Sequence, residues 1–173
     1  MKKLLKNISK NAILLHPENF STQEKESFWI GNEPFTNKEI SKAENKLGIR
    51  LPEDVKEFYK ISNGTSVILN QTFSGFLPID KIDWMKNMQP QTFIDYEEMG
   101  EDYTDHLKNS IVIAGENYLH QVLIIQPFGE NKEWQYWEFA SYIPSENILK
   151  SIKSYLERLD DFLIEQLKNK NET

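Results

Sequence analysis

The sequence predicts an α+β fold in which helices flank a mostly antiparallel β-sheet, and three observations lead to this class. Helical periodicity marks the start, the first third and the end of the chain. Three β-rich runs separated by short polar turns follow one another after residue 110, which is typical of an antiparallel meander. The length of 173 residues fits one domain, so we expect a single domain over residues 1–173.

The first predicted element is an additional N-terminal amphipathic helix over residues 2–15. Apolar side chains recur at near-helical spacing, lysines occupy positions between them, and His16-Pro17 ends the pattern. Residues 17–34 show no firm period. We interpret them as a connection that places aromatic side chains such as Phe20 on the body of the domain.

Two short helices joined by a tight turn are predicted within residues 36–64. Thr36 and the glutamate three residues later can form a capping box at the start of the first helix, and Gly48 can end that helix in the left-handed conformation. Pro52 suits the first turn of the second helix. Asn63-Gly64 can end it, because both residues tolerate positive φ.

The pattern becomes β-rich after residue 66. Residues 67–69 and 73–77 predict a hairpin, whereas residues 79–109 predict an irregular segment with a helical turn or two. The three runs of the predicted meander are residues 111–114, 118–126 and 133–139. A long C-terminal helix is predicted from about residue 145 to 168, followed by a frayed tail over residues 169–173.

Strand 133–139 carries aromatic side chains on both of its faces. Alternation places Trp134 and Tyr136 on one face and Trp137 and Phe139 on the other. One face is expected to belong to the core. For the second face we favour coverage by the opening helix, with contact to a partner protein as the alternative.

Composition excludes several classes of function. The net charge of −7 disfavours direct binding to nucleic acid or to an anionic membrane, and it favours a basic protein partner. The absence of cysteine excludes disulfides, thiolate nucleophiles and cysteine zinc sites. Polar residues interrupt the signal-like start, so we expect an unprocessed, cytoplasmic protein.

No local motif indicates catalysis. The sequence lacks a nucleophile elbow, a phosphate-binding glycine loop, a dinucleotide fingerprint and a zinc-protease helix, and its three histidines are far apart. We therefore expect no enzymatic activity, no catalytic residue, no cofactor and no metal. One alternative stays open, in which Asp102, Asp105 and His106 hold a hard cation in a metal-dependent enzyme.

Most of the net negative charge of −7 comes from residues 95–105, which contain six carboxylates and no basic residue. One interpretation is a solvated face. The other is a recognition surface, in which carboxylates steer a basic partner and neighbouring aromatic residues supply contact area. The candidate partner-binding residues are Asp95, Tyr96, Glu97, Glu98, Glu101, Asp102, Tyr103 and Asp105.

The two-helix segment contains a distinctive series: a glutamate, a Leu-Gly turn, a Leu-Pro start, an aromatic-bearing helix and an Asn-Gly end. The residues are Glu44, Leu47, Gly48, Leu51, Pro52, Phe58, Asn63 and Gly64. This series resembles the hallmark of the SUKH superfamily, which joins bacterial toxin-immunity proteins to fungal regulators of cell-wall glucan synthesis. A looser resemblance spans about residues 36–163.

The resemblance implies an α+β domain that works by binding and has no known active site. The expected function is a non-enzymatic immunity protein that binds and neutralises a cognate bacterial toxin, such as a nuclease, by occluding its active site or substrate groove. The alternative is a regulatory scaffold that resembles the fungal relatives. The hallmark residues themselves supply caps, a turn and core contacts, so we expect their role to be structural.

Overall fold

A computed structural model describes residues 1–69, 73–99, 103–115, 120–130, 132–140 and 143–172. Within these ranges the helices are α1 (Lys2–Leu15), a short 3-10 helix (Pro17–Asn19), α2 (Thr22–Ser27), α3 (Asn37–Leu47), α4 (Glu53–Ile61), α5 (Met85–Met88), α6 (Pro90–Met99), α7 (Thr104–Lys108) and α8 (Ile152–Glu172). The strands are β1 (Asp83–Trp84), β2 (Ser110–Ala114), β3 (Gln121–Ile125), β4 (Gln135–Ala140) and β5 (Ile143–Leu149). The predicted α+β class is confirmed.

The five strands form one antiparallel sheet in the order β1-β2-β3-β4-β5. Strands β2, β3 and β4 correspond to the three predicted β-rich runs, which confirms the meander. The register places Leu123 opposite Trp137, so the largest aromatic residue of β4 lies at the centre of the sheet. Strand β5 lies at the edge, where Pro144 costs no hydrogen bond to a further strand.

Helices α4 and α8 cover the first face of the sheet. From this face the Tyr136 hydroxyl donates to the carboxylate of Asp54, which lies in the first turn of α4. The same carboxylate accepts the N–H of Ile152 at 3.0 Å, at the start of α8. Asp54 therefore joins three elements that are far apart in the sequence.

Helices α6 and α7 cover the second face, and this corrects the sequence-based expectation. Phe139 lies 5.9 Å from Tyr96 of α6, and Trp137 lies 5.4 Å from His106 of α7, measured between ring centroids. Both β4 side chains are only 1% exposed. The aromatic face is covered as favoured, but its cover comes from a segment predicted to be mainly irregular and not from the N-terminal helix.

The N-terminal helix has the predicted bounds, and it packs along α8 instead of on the sheet. Its apolar face is buried, with Ile8 at 1% and Ala12 at 0% exposure. Asn11 donates to Asp160 of α8 at 3.0 Å, and the Lys170 ammonium donates to the Leu15 carbonyl at 2.7 Å. The helix therefore belongs to the same hydrophobic core as the rest of the chain.

The predicted C-terminal helix begins seven residues too early. Residues 143–149 form strand β5, which pairs with β4, and α8 starts only at Ile152. Ser151 marks the boundary, because its hydroxyl accepts the N–H of Ser154 at 3.0 Å and so caps the helix. The predicted frayed tail is also wrong up to residue 172, because Lys170 anchors the last turn of α8 to α1.

The predicted hairpin is present only as one β-bridge between Leu69 and Phe73, and residues 70–72 lie outside the described ranges. Phe76 forms a second bridge with Ala114 of β2. The following segment contains more helix than predicted. It includes α5, α6 and α7, and α6 begins at Pro90, where proline is favoured in the first helical turn.

Candidate functional site

Glu44 lies in the last part of α3, and its carboxylate binds residues of the turn between α3 and α4. Its carboxylate is 4% exposed and accepts hydrogen bonds from the Arg50 guanidinium at 2.7 Å and the Leu51 N–H at 3.0 Å, with the Lys56 ammonium 3.6 Å away. Burial alone would raise the pKa of Glu44, but these donors and positive charges outweigh it and hold that pKa below the usual value. The carboxylate therefore fixes the path of the turn.

The helix caps around Glu44 follow the sequence-based expectation. The Glu39 carboxylate accepts the Thr36 N–H at 2.9 Å, as the predicted capping box requires, while the Glu39 N–H itself reaches the Thr36 carbonyl at 3.1 Å. Gly48 ends α3 with φ of 73°, in the left-handed region. These contacts set the angle at which α4 meets the sheet.

Helix α4 ends at Ile61 with Ser62 in an extended conformation, so Asn63-Gly64 does not end the helix as predicted but follows it and attaches the helix pair to the rest of the domain. The Asn63 side-chain carbonyl accepts the Ile79 N–H at 2.9 Å. Gly64 has φ of 81°, and a Cβ at this position would lie 2.5 Å from the Phe76 carbonyl oxygen. Only glycine fits this close approach of two backbone segments.

The remaining hallmark side chains contribute to the core. Phe58 is fully buried, with its ring 4.6 Å from that of Phe76. The Leu47 carbonyl accepts the Trp84 indole N–H at 3.2 Å, and Leu51 is 2% exposed. These hallmark side chains make their recorded contacts inside the domain.

The acidic candidate surface lies on α6 and α7, above the second face of the sheet. Glu97, Glu98 and Asp105 are exposed, and Asp95 is half-buried, with its carboxylate accepting from Gln91 at 2.7 Å. Glu97 pairs with Lys108 at 3.2 Å. In the described part of this segment, carboxylates still outnumber the basic side chains.

Apolar side chains interrupt these carboxylates. Tyr103 and Ile94 are each 42% exposed. Tyr96 does not share this exposure: it is 7% exposed and packs against Phe139, so it supports the surface from beneath instead of offering contact area. The candidate residues Glu101 and Asp102 lie outside the described residues.

In the alternative hypothesis of a metal-dependent enzyme, His106 binds a cation together with Asp102 and Asp105. The His106 ring packs against Phe128 at 5.0 Å and Trp137 at 5.4 Å, and burial lowers its pKa while the charge of Asp105 opposes that shift. Asp102 lies outside the described residues. Within the ranges that the structure describes, no group of three or more histidine or carboxylate side chains is placed to hold a metal ion.

Comparison with known families adds one decisive observation. The model of the SMI1 / KNR4 family (SUKH-1) matches residues 34–165, which is most of the chain. The chain belongs to the SUKH-1 family. The match includes all the hallmark residues and the acidic surface, whereas α1, α2 and residues 28–33 precede it. No curated protein matches the chain.

This SUKH-1 domain also contains a buried polar cluster that the sequence did not predict. His120 and Glu138 are each 7% exposed, and Glu138 forms an ion pair with Arg158 of α8. His120 Nε2 lies 3.7 Å from the Glu138 carboxylate. Burial, aided by the positive charge of Arg158, lowers the pKa of His120 to about 4, so this histidine is neutral at pH 7.

The sequence also did not predict the role of Asp54 in this SUKH-1 domain. The sequence indicated only a carboxylate near the positive end of the α4 dipole. Its hydrogen bonds with Tyr136 and Ile152 depend on tertiary structure, and no local sequence pattern predicts them.

None of the described helices combines the length and the apolar character that a membrane-spanning helix requires.

Proposed function

We propose that this SUKH-1 chain is a non-enzymatic immunity protein that binds a cognate bacterial toxin and blocks its active site or substrate groove. The observation that carries the proposal is the mixed acidic and apolar surface of α6 and α7. Glu97, Glu98 and Asp105 are exposed there beside Ile94 and Tyr103. A nuclease groove is basic, so carboxylates can occupy the positions that phosphates would take.

Buried aromatic side chains support this surface from beneath, which favours binding without a large ordering cost. Tyr96 packs on Phe139, and the backbone carbonyl of Tyr96 accepts a hydrogen bond from the Thr104 hydroxyl at 3.2 Å. Tyr103 lies 5.2 Å from the buried ring of Trp137. The exposed Tyr103 side chain is therefore held in place on one side and remains partly open to solvent, as an interface anchor requires.

Coexpression tests the proposal directly. The toxin encoded beside this gene is expressed with and without the chain, and growth is followed together with complex formation in a pull-down. We expect growth rescue and a stable complex. An adjacent gene that encodes no toxin, or a toxin that neither binds the chain nor is neutralised by it, contradicts the proposal and favours the regulatory scaffold.

The contribution of the acidic surface is tested by charge reversal. The double variant Glu97→Lys and Glu98→Lys should slow association with the toxin by about tenfold at low salt and flatten its salt dependence, because electrostatic steering is lost. The matched control is Glu57→Lys with Glu165→Lys, which makes the same change of charge at two exposed positions elsewhere. An equal association rate for the double variant and the unmodified chain removes this surface from the interface.

A further inference from the structure

A second feature lies before the family-matched part of the chain: a cleft between α2 and the segment that follows it. Its volume is about 340 Å³, and all of its lining residues fall within residues 21–33. Ligand clefts in proteins span roughly 300–1,000 Å³. This cleft is large enough for one side chain or one small molecule, and no residue of the SUKH-1 hallmark lines it.

An aromatic platform forms one wall of the cleft. Trp29 is half-buried, and its indole ring lies against Gly31, where a Cβ would approach ring atom Cζ2 to 2.5 Å. Any larger residue at position 31 would displace the ring. The glycine therefore allows the indole to pack closely against the backbone in the cleft wall.

The other walls carry negative charge without a matching cation. Glu24 and Glu33 line the cleft, no lysine, arginine or histidine lines it, and no described basic side chain forms an ion pair with either carboxylate. The partners of Glu24 are neutral: the Ser21 N–H at 2.8 Å, the Ser21 hydroxyl at 2.6 Å and the Ser66 hydroxyl at 2.5 Å. Burial opposes ionisation, but these bonds hold the pKa of Glu24 below its usual value.

The floor of the cleft is tied to the family domain by backbone hydrogen bonds. The Ser66 N–H donates to the Ile30 carbonyl at 3.0 Å, and the Asn32 N–H donates to the Gly64 carbonyl at 3.2 Å. The Asn32 side-chain amide donates to the Asn63 carbonyl at 2.9 Å. The cleft is therefore preorganised, and binding there requires little ordering of the chain.

Phe28 precedes Trp29 in the sequence and lies outside the cleft lining. It is 42% exposed, and it ends α2 with φ of 50°, a left-handed conformation that bulky residues seldom adopt. Asparagine or glycine would fit this conformation with less strain. The chain instead holds a large aromatic side chain in solvent at this position.

We propose that this cleft binds an arginine side chain of a partner protein. A guanidinium group is planar, so it can stack on the Trp29 indole while its N–H groups donate to the carboxylates of Glu24 and Glu33. The side-chain carbonyls of Gln23 and Asn32 are further acceptors in the lining. A lysine ammonium lacks the planar shape and the forked donors that this arrangement suits.

The site goes beyond the toxin proposal and does not depend on it, because the chain is tested alone. The ¹⁵N-labelled full chain is titrated with N-acetyl-arginine methylamide while the Trp29 indole N–H resonance is followed. We expect a saturable shift with the arginine probe and none with the uncharged isostere N-acetyl-citrulline methylamide. The absence of a saturable arginine response, or an equal response to citrulline or lysine methylamide, overturns the proposal.

Variants of the cleft residues test whether the arginine probe binds in this cleft. Binding by the variants is followed through the backbone amide resonances of the cleft residues, because Trp29→Leu removes the indole reporter. Glu33→Gln should raise the dissociation constant of the arginine probe about threefold, and Trp29→Leu about fivefold, as loss of one exposed ion pair and of one cation–π contact predicts. The matched control is Glu26→Gln, an exposed α2 carboxylate outside the lining, which should bind like the unmodified chain. If Glu33→Gln and Glu26→Gln have equal effects, the response reflects net charge and the site is refuted.

Discussion

At the scale of single residues, Glu44 offers the clearest test of how the family hallmark works. Glu44→Gln keeps the shape of the side chain but removes the charge that Arg50, Leu51 and Lys56 stabilise. We expect a loss of about 2 kcal/mol in the free energy of unfolding at pH 7, since hydrogen bonds to charged groups contribute on this scale. Urea unfolding measures it, and the exposed Glu57→Gln serves as the control with no expected loss.

The pH dependence of the same variant follows from the lowered pKa of Glu44. The folded chain releases this proton more readily than the unfolded chain, so the stabilisation is complete above the usual value of 4.5 and is lost as the pH falls through the folded pKa. The difference in stability between the unmodified chain and Glu44→Gln should therefore shrink in acid. A difference that stays constant from pH 7 to pH 3 would assign the effect to packing instead.

The pKa of Asp160 is shifted upwards, so its effect on the pH dependence of stability is opposite to that of Glu44. Burial is the main cause that raises its pKa, and the Asn11 amide compensates only in part. Its ionisation therefore reduces the stability of the fold as the pH rises from the usual value of 3.8 through the raised folded pKa, and the penalty is fully present at neutral pH. Asp160→Asn should unfold at a higher urea concentration at pH 7, with a smaller gain near pH 3. A lower midpoint at pH 7 contradicts this.

At the scale of elements, the attachment of α1 to α8 depends on a narrow apolar stripe. Ile8→Ala should lower the free energy of unfolding by about 3 kcal/mol, because it leaves a cavity at a side chain that is 1% exposed. Leu14 lies on the same helix but is 46% exposed, so Leu14→Ala should change stability by less than about 0.5 kcal/mol. Equal losses for the two variants would mean that α1 does not pack as described.

Local chemistry explains why some elements could be predicted from the sequence. The bounds of α1 follow from its periodicity and from Pro17, and those of α3 follow from the contacts of Thr36 with Glu39 and from Gly48. These signals act within a few residues. By contrast, the four-residue spacing of Ile148 and Ile152 imitated a helix across the boundary between β5 and α8. Pairing of β5 with β4 decides that boundary, and such pairing is not visible locally.

The same distinction applies to the candidate sites. The sequence identified the acidic stretch because its charge is contiguous, but it assigned Tyr96 to the surface although the side chain packs on Phe139. It gave no sign of the cleft at Trp29, whose walls depend on the close approach of residues 64–66 to residues 30–32. Sequence patterns report composition and period, whereas burial and clefts depend on contacts between distant segments.

At the scale of the whole molecule, one continuous set of buried residues extends from Leu5 of α1 to Leu163 of α8. Helix α1, which lies outside the family match, therefore shares a core with the matched domain. Unfolding followed by far-UV circular dichroism and by tryptophan fluorescence should give coincident transitions, as expected for one cooperative domain. An earlier loss of helical signal would show that α1 unfolds separately, and it would contradict the prediction of a single domain.

The pairing of α1 with α8 also bears on the timing of protein synthesis. Lys170 reaches the Leu15 carbonyl across a separation of 155 residues, and the start of α8 is fixed by Asp54 across 98 residues. A nascent chain cannot make these contacts until α8 has left the ribosomal exit tunnel. Until then the apolar face of α1 lacks its packing partner, and the first face of the sheet lacks the part of its cover that α8 supplies. Folding is therefore completed only after α8 has been translated and has left the exit tunnel.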